Sequence, residues 1–163
     1  MEFSFPFSSA TISTFVHATE DEAKLKSLLD SLLPGDVKIR GTKASGHYGN
    51  LILILAAEIR KRADLREFWD KIVSELGPEG KRKLLREASR RVSEDCFLYL
   101  RFDKQRACEG EFVLTDSGDA IHVQLKIAAY PARREVALRL VEDFIKSGLN
   151  PGASNESAEK IQT

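Results

Sequence analysis

The sequence predicts a single α+β domain built on a mixed or antiparallel sheet with helices packed on one face. Three observations carry this. Apolar residues recur at helical spacing in four separate stretches. Segments with strand character stand before and between them, and the last three follow one another directly, as in an antiparallel meander. The composition, 42% hydrophobic and 31% charged over 163 residues, is that of one globular domain with a sizeable core rather than a disordered chain.

Residues 11–18 alternate, with Ile12, Thr14, Val16 and Ala18 on one side and Ser13, Phe15 and His17 on the other, so they predict a strand. Thr19 and Glu22 have the spacing of a capping box. The helix behind them buries Leu25, Leu28, Leu29, Leu32 and Leu33 and stops at Pro34-Gly35. Residues 37–40 predict a weaker strand, and 41–50 a loop. The run 51–59 is almost wholly apolar, which predicts a strand buried on both faces at the centre of the sheet. Asp64 and Glu67 repeat the capping pattern ahead of Leu65, Phe68, Trp69, Ile72, Val73 and Leu76. Gly77-Pro78 breaks that helix, and another runs from near Glu79 to about Val92. Strands are expected at 96–102, 111–115 and 121–129, with Asp116-Ser117-Gly118-Asp119 as the turn between the last two. Pro131 suits the first turn of a final helix carrying Val136, Ala137, Leu140, Val141 and Phe144 inward and ending at Gly148. The predicted order is β-α-β-β-α-α-β-β-β-α. Residues 1–149 form one domain, and the polar tail 150–163 is expected to be disordered.

Several function classes fall away. No apolar run is long enough to span a bilayer, and residues 1–9 lack the pattern of a secretory signal, so a cytoplasmic protein without a membrane partner is expected. Cys96 and Cys108 make neither a disulfide framework nor a Cys-x-x-Cys site. His17, His47 and His122 match no zinc spacing. The chain has no nucleophile elbow, phosphate-binding loop or dinucleotide fingerprint. No catalytic residue, metal or cofactor is therefore expected, and the protein reads as a non-enzyme.

The net charge is zero, yet the charges are segregated. Segment 37–62 holds Lys38, Arg40, Lys43, Arg60, Lys61 and Arg62 against Glu58 alone. Segment 81–91 holds Lys81, Arg82, Lys83, Arg86, Arg90 and Arg91 against Glu87. With Leu84, Leu85, Ala88 and Val92 turned inward, Arg82, Arg86 and Arg90 form an outward row four residues apart, with Lys83 beside it. Such a row can meet successive phosphates, and it is also what an ordinary solvated helix face looks like. In the loop before the apolar strand, His47 and Tyr48 offer stacking surfaces and Asn50 a two-sided hydrogen-bonding group. Tyr99 and Arg101 share a strand face with Phe97 and Asp103, followed by Lys104 and Arg106. His122, Gln124 and Lys126 share a face of the last strand. If those strands are neighbours, aromatics, cations and amides meet on one wet sheet face, a mixture used by single-stranded RNA binders.

Four segments also carry a family resemblance. They are Phe15-Val16-His17-Ala18-Thr19-Glu20-Asp21, Gly46-His47-Tyr48-Gly49-Asn50, Leu98-Tyr99-Leu100-Arg101-Phe102-Asp103-Lys104-Gln105, and Ile121-His122-Val123 through Ala129-Tyr130-Pro131-Ala132-Arg133-Arg134-Glu135. In this order, over residues 9–147, they resemble an archaeal family of predicted RNA-binding proteins or predicted exosome subunits. The resemblance implies a fold like that of the large-subunit ribosomal protein that binds 5S ribosomal RNA. It implies structured RNA as a partner, in ribosomal or other stable-RNA metabolism or beside the exosome, with exosome- or ribosome-associated proteins as further partners. Arg133 and Arg134 join the candidate RNA-binding residues on this ground. The alternative is a protein-interaction adaptor that makes no RNA contact.

Overall fold

Five strands and four helices follow one another in the computed structural model of the chain, which describes residues 4–46 and 48–149. They are β1 (Phe7–Val16), α1 (Glu22–Leu32), β2 (Arg40–Ser45), β3 (Leu51–Ile59), α2 (Arg62–Arg91), β4 (Phe97–Asp103), α3 (Lys104–Cys108), β5 (Ala120–Ile127) and α4 (Arg134–Leu149). Every strand pair is antiparallel, and the sheet order is β2-β3-β1-β5-β4. The α+β class, the antiparallel sheet and its layer of helices agree with the sequence reading.

Alternation decides which side of the sheet is dry. Ala10, Ile12, Thr14 and Val16 of β1, Leu98, Leu100 and Phe102 of β4, and Ile121, Val123, Leu125 and Ile127 of β5 all face the core. Against them pack Leu25, Leu29 and Leu32 of α1, Leu65, Phe68, Trp69, Ile72, Leu76 and Leu84 of α2, and Ala137, Val141 and Ile145 of α4. Trp69 lies between Phe7, at 5.0 Å between ring centroids, and Phe144, at 5.7 Å. The apolar stripes of α1, α2 and α4 thus share one core with the sheet.

Several local expectations change. The cap of α1 is Asp21, which accepts from Lys24 N, and Glu20 instead accepts from His17 N. The second strand starts at Arg40, where residues 37–40 had been expected to carry it. The apolar strand β3 has the expected bounds but is not central. Its neighbours are the exposed edge strand β2 and the central β1, so Ile52, Leu53 and Ile54 stay half-buried and Leu51 is 65% exposed. The second long helix begins at Arg62, behind an uncapped Lys61, rather than at the Asp64 pattern. Gly77 interrupts it as expected, with φ of 69° and ψ of 177°, a left-handed conformation that glycine adopts without a Cβ clash. Residues 111–115 make only a bridge between Leu114 and Phe102, because α3 intervenes and the chain then runs beside β4 without forming a ladder. Pro131 precedes α4 by three residues rather than opening it, and Leu140 turns outward. The tail 150–163 lies outside the described residues.

Candidate nucleic-acid interface

The pairing of β5 with both β1 and β4 builds the surface of interest. Residues that alternate away from the core stand in rows across the strands. One row runs Glu58, Thr11, Gln124, Tyr99, and the next runs Arg40, Ala56, Ser13, His122, Arg101. Beyond that comes Thr42, Ile54, Phe15, and Lys126 stands beside Phe97 and Ser9 at the other margin. Among the described residues no helix covers this face. Phe15 is 46% exposed and Tyr99 38%, and Tyr99 leans on Phe97 with ring centroids 6.1 Å apart. Two partly exposed aromatic surfaces thus stand among cations, an amide and an imidazole.

The electrostatics of the face are set locally. Arg101 donates from Nη2 to Gly118 O at 2.7 Å, which fixes its arm against the loop bordering β4. Its Nε is enclosed and lacks a partner among the described residues. Burial, and secondly the Arg101 charge, push the His122 imidazole below its ordinary value, so it stays neutral at pH 7. Glu58, at the far margin, is paired with Arg60 at 2.7 Å.

The basic half of α2 lies on the other side of the molecule, because its inward residues Leu84 and Ala88 pack in the helix layer. Its row is uneven. Arg90 is held by Asp116, at 2.5 and 3.1 Å, and by Glu87 at 2.8 Å. The Arg90 hydrogen bond holds the Asp116 carboxyl below its ordinary value. Lys83 donates to Leu114 O at 3.0 Å. Arg91, nearly buried, is neutralised by Glu87 and Asp116. Arg82 has only an exposed contact with Glu79, and Arg86 makes no ion pair among the described residues. Lys81 and Arg82 join Lys146 of α4 around a surface cleft of about 550 Å³ that also includes Pro78 and Leu85. The expected row therefore presents its charge mainly through Arg82 and Arg86.

Other expected cations do structural work. Lys104 is 3% exposed and does not stand at the surface: its ammonium donates to Phe15 O and Glu20 Oε1, each at 2.8 Å. Arg134 donates to Ser89 O and, at 3.1 Å, to Val92 O, placing a cation on the carbonyls that end α2. Arg106 pairs with Glu111 at 3.0 Å, and Arg133 is exposed at the start of α4. Tyr48, 94% exposed, and Asn50 lie in the turn between β2 and β3, and His47 lies outside the described residues. Phe15 and Arg40 complete the open face without having been singled out. The alternation of 11–18 had already turned Phe15 away from the core, whereas Arg40 joins only through the β2–β3 register. Among the described residues no cluster of His, Cys, Asp and Glu is arranged to hold a metal ion, and no helix is long and apolar enough to cross a membrane.

Comparison with known proteins gives a consistent picture. A family described as RNA binding matches residues 9–127. The RNA-binding protein PAB1135 of Pyrococcus abyssi is 34% identical over 140 residues, 83% of this chain and 91% of that protein. Protein AF2318 from Archaeglobus fulgidus has a crystal structure that superposes with a TM-score of 0.76 at 34% identity, covering 85% of this chain and 99% of that one. Mth689 from Methanothermobacter thermautotrophicus superposes with a TM-score of 0.73 at 33% identity, covering 86% and 99%.

Proposed function

We propose that this chain, which belongs to the RNA-binding family, binds RNA on the open face of its sheet and acts by binding rather than by catalysis. One observation carries the reading: the β1–β5–β4 register gathers Phe15, Phe97, Tyr99, Arg101, His122, Gln124 and Lys126 on a face that no described helix covers. Aromatic faces receive bases, cations meet phosphates, and Gln124 can both donate to and accept from a base edge. The name of the Pyrococcus relative supports RNA as the ligand.

The finer part of the proposal is the kind of RNA and its setting. Lys81, Arg82 and Arg86 on α2, with Lys146, form a second cationic area on the far side of the sheet, suited to the phosphates of a folded RNA. Arg106, Arg133 and the β2–β3 turn with Tyr48 and Asn50 are peripheral contacts in this reading. Ribosomal or other stable-RNA metabolism, or a place beside the exosome, is the proposed setting, in keeping with the ribosomal-protein-like expectation. The experiment is a salt series of binding curves with the whole chain, paired with co-purification of the tagged protein with and without nuclease. Affinity that falls steeply with salt, and partners lost on nuclease treatment, support RNA binding. No binding at low salt, with protein partners that survive nuclease, transfers the function to a protein adaptor.

A further inference from the structure

We infer that the RNA segment on the open face is single-stranded and crosses the sheet perpendicular to the strands, along the lane Arg40–Ala56–Ser13–His122–Arg101. This rests on the RNA-binding reading and names the form and path of its ligand. The lane follows from register: Arg40 pairs with Ala56, Ala56 with Ser13, Ser13 with His122, and His122 with Arg101. It therefore runs through all five strands, about 19 Å at about 4.8 Å per strand spacing.

Side-chain size shapes it. The middle of the lane is Ala56 and Ser13, each smaller than the residues two positions away on the same face, Ile54 and Glu58 on β3 and Thr11 and Phe15 on β1. Larger groups border it two residues to either side, about 7 Å along each strand. Thr42, Ile54 and Phe15 stand on one flank, and Glu58, Thr11, Gln124 and Tyr99 on the other. The outcome is a shallow floor between two raised margins, each with one partly exposed aromatic ring.

Charge shapes it as well. The two ends are the guanidiniums of Arg40 and Arg101, and no carboxylate stands in the row. Two acids flank it, Glu58 at the Arg40 end, paired with Arg60 at 2.7 Å, and Asp103 at the Arg101 end, which accepts from Arg106 N at 2.9 Å. Arg101 is already positioned by its bond to Gly118 O. A backbone laid along the lane would meet a cation at each end, with His122 beside Arg101 to hydrogen-bond in its neutral form.

Aromatic exposure selects the strand state. A duplex keeps its base faces stacked on one another, so Phe15 and Tyr99 would have nothing to receive. An unpaired strand presents those faces.

The test uses the full chain and fluorescence anisotropy, with a labelled ten-nucleotide single strand of mixed sequence and the corresponding duplex as probes. Ser13→Leu and Ala56→Leu fill the floor without changing charge, and Tyr99→Ala removes a stacking surface that Tyr99→Phe restores. An unfolding midpoint for each variant shows that it is folded. We expect the parent to bind the single strand at least tenfold more tightly than the duplex. Filling the floor should weaken single-strand binding at least tenfold. Tyr99→Ala should lose roughly 5- to 150-fold, the range of one base stack, with Tyr99→Phe near the parent. Arg40→Ala with Arg101→Ala should lower the salt slope by about 1.4, two phosphates at about 0.7 each. A parent that binds RNA, with folded floor variants and Tyr99→Ala unchanged, overturns the lane and leaves RNA binding standing. Duplex preference, lost in Arg82→Ala with Arg86→Ala, moves the site to α2 and also overturns it. A parent that binds neither probe removes both the lane and the RNA-binding reading.

Discussion

Replacing Lys104 by methionine deletes a buried ammonium while keeping the length of its stem. In the parent that ammonium donates to Phe15 O and to Glu20 Oε1 at 2.8 Å each, clamping the end of β1 to the turn that leads into α1. The variant leaves a carbonyl and a carboxylate facing a thioether. A hydrogen bond to a charged group contributes about 1.5–3 kcal/mol, and deleting one partner of a buried ion pair costs about 3–5 kcal/mol. The Glu20 side chain keeps 28% exposure, so water restores part of its solvation. The expected loss is therefore about 2–4 kcal/mol. With a urea m-value of about 2 kcal/mol/M, the unfolding midpoint at pH 7 falls by about 1–2 M. The pH dependence gives a second reading of the same contact. Burial by itself would raise the Glu20 carboxyl, but hydrogen bonds from Lys104 and from the His17 N–H outweigh it and hold it below its ordinary value. A depressed carboxylate stabilises the fold above its unfolded pKa, about 4.3, and that contribution is lost as pH falls through the lower folded value. The gap between parent and variant should thus narrow across that acid window. It should not close, because the bond to Phe15 O does not depend on Glu20. Chemical unfolding followed by tryptophan fluorescence measures both effects. An unchanged midpoint at pH 7, or a gap of constant width through the acid window, refutes the assignment.

Trp69→Ala should cost about 3–5 kcal/mol, because the indole is 5% exposed and packed between Phe7 and Phe144; a variant that unfolds with the parent's urea midpoint contradicts that packing. His122 should titrate below about 6.5 by NMR, since burial and then Arg101 disfavour its charged form. Stability from this group is present above that unfolded value and is lost as pH falls through the lower folded one. Arg101→Ala should move the midpoint upward, and a titration at or above the ordinary histidine value removes the stated cause.

The elements of this protein were legible in its sequence wherever their causes are local. Alternation in 11–18 exposed β1 and its two faces, helical spacing placed Trp69 and the leucines of α1, and Gly77-Pro78 marked the interruption in α2 because no more than the local backbone is needed to make it. The aromatic and cationic residues of β4 and β5 were also visible, each on its own strand face. What a single strand cannot state is its neighbour. The run 51–59 has the composition of a doubly buried central strand, yet β1 takes the centre and β3 is left beside an exposed edge. Strand order is settled by which long-range pairings let α1, α2 and α4 close over one face, a comparison among whole packings. Charge partners are equally non-local. Lys104 meets Glu20 across 84 residues and Arg90 meets Asp116 across 26, so cations that look alike in the sequence divide into buried clamps and exposed contacts only after folding. The lane from Arg40 to Arg101 exists for the same reason. Each of its residues is an unremarkable member of its own strand, and the hydrogen-bonded register of five strands puts them in a line.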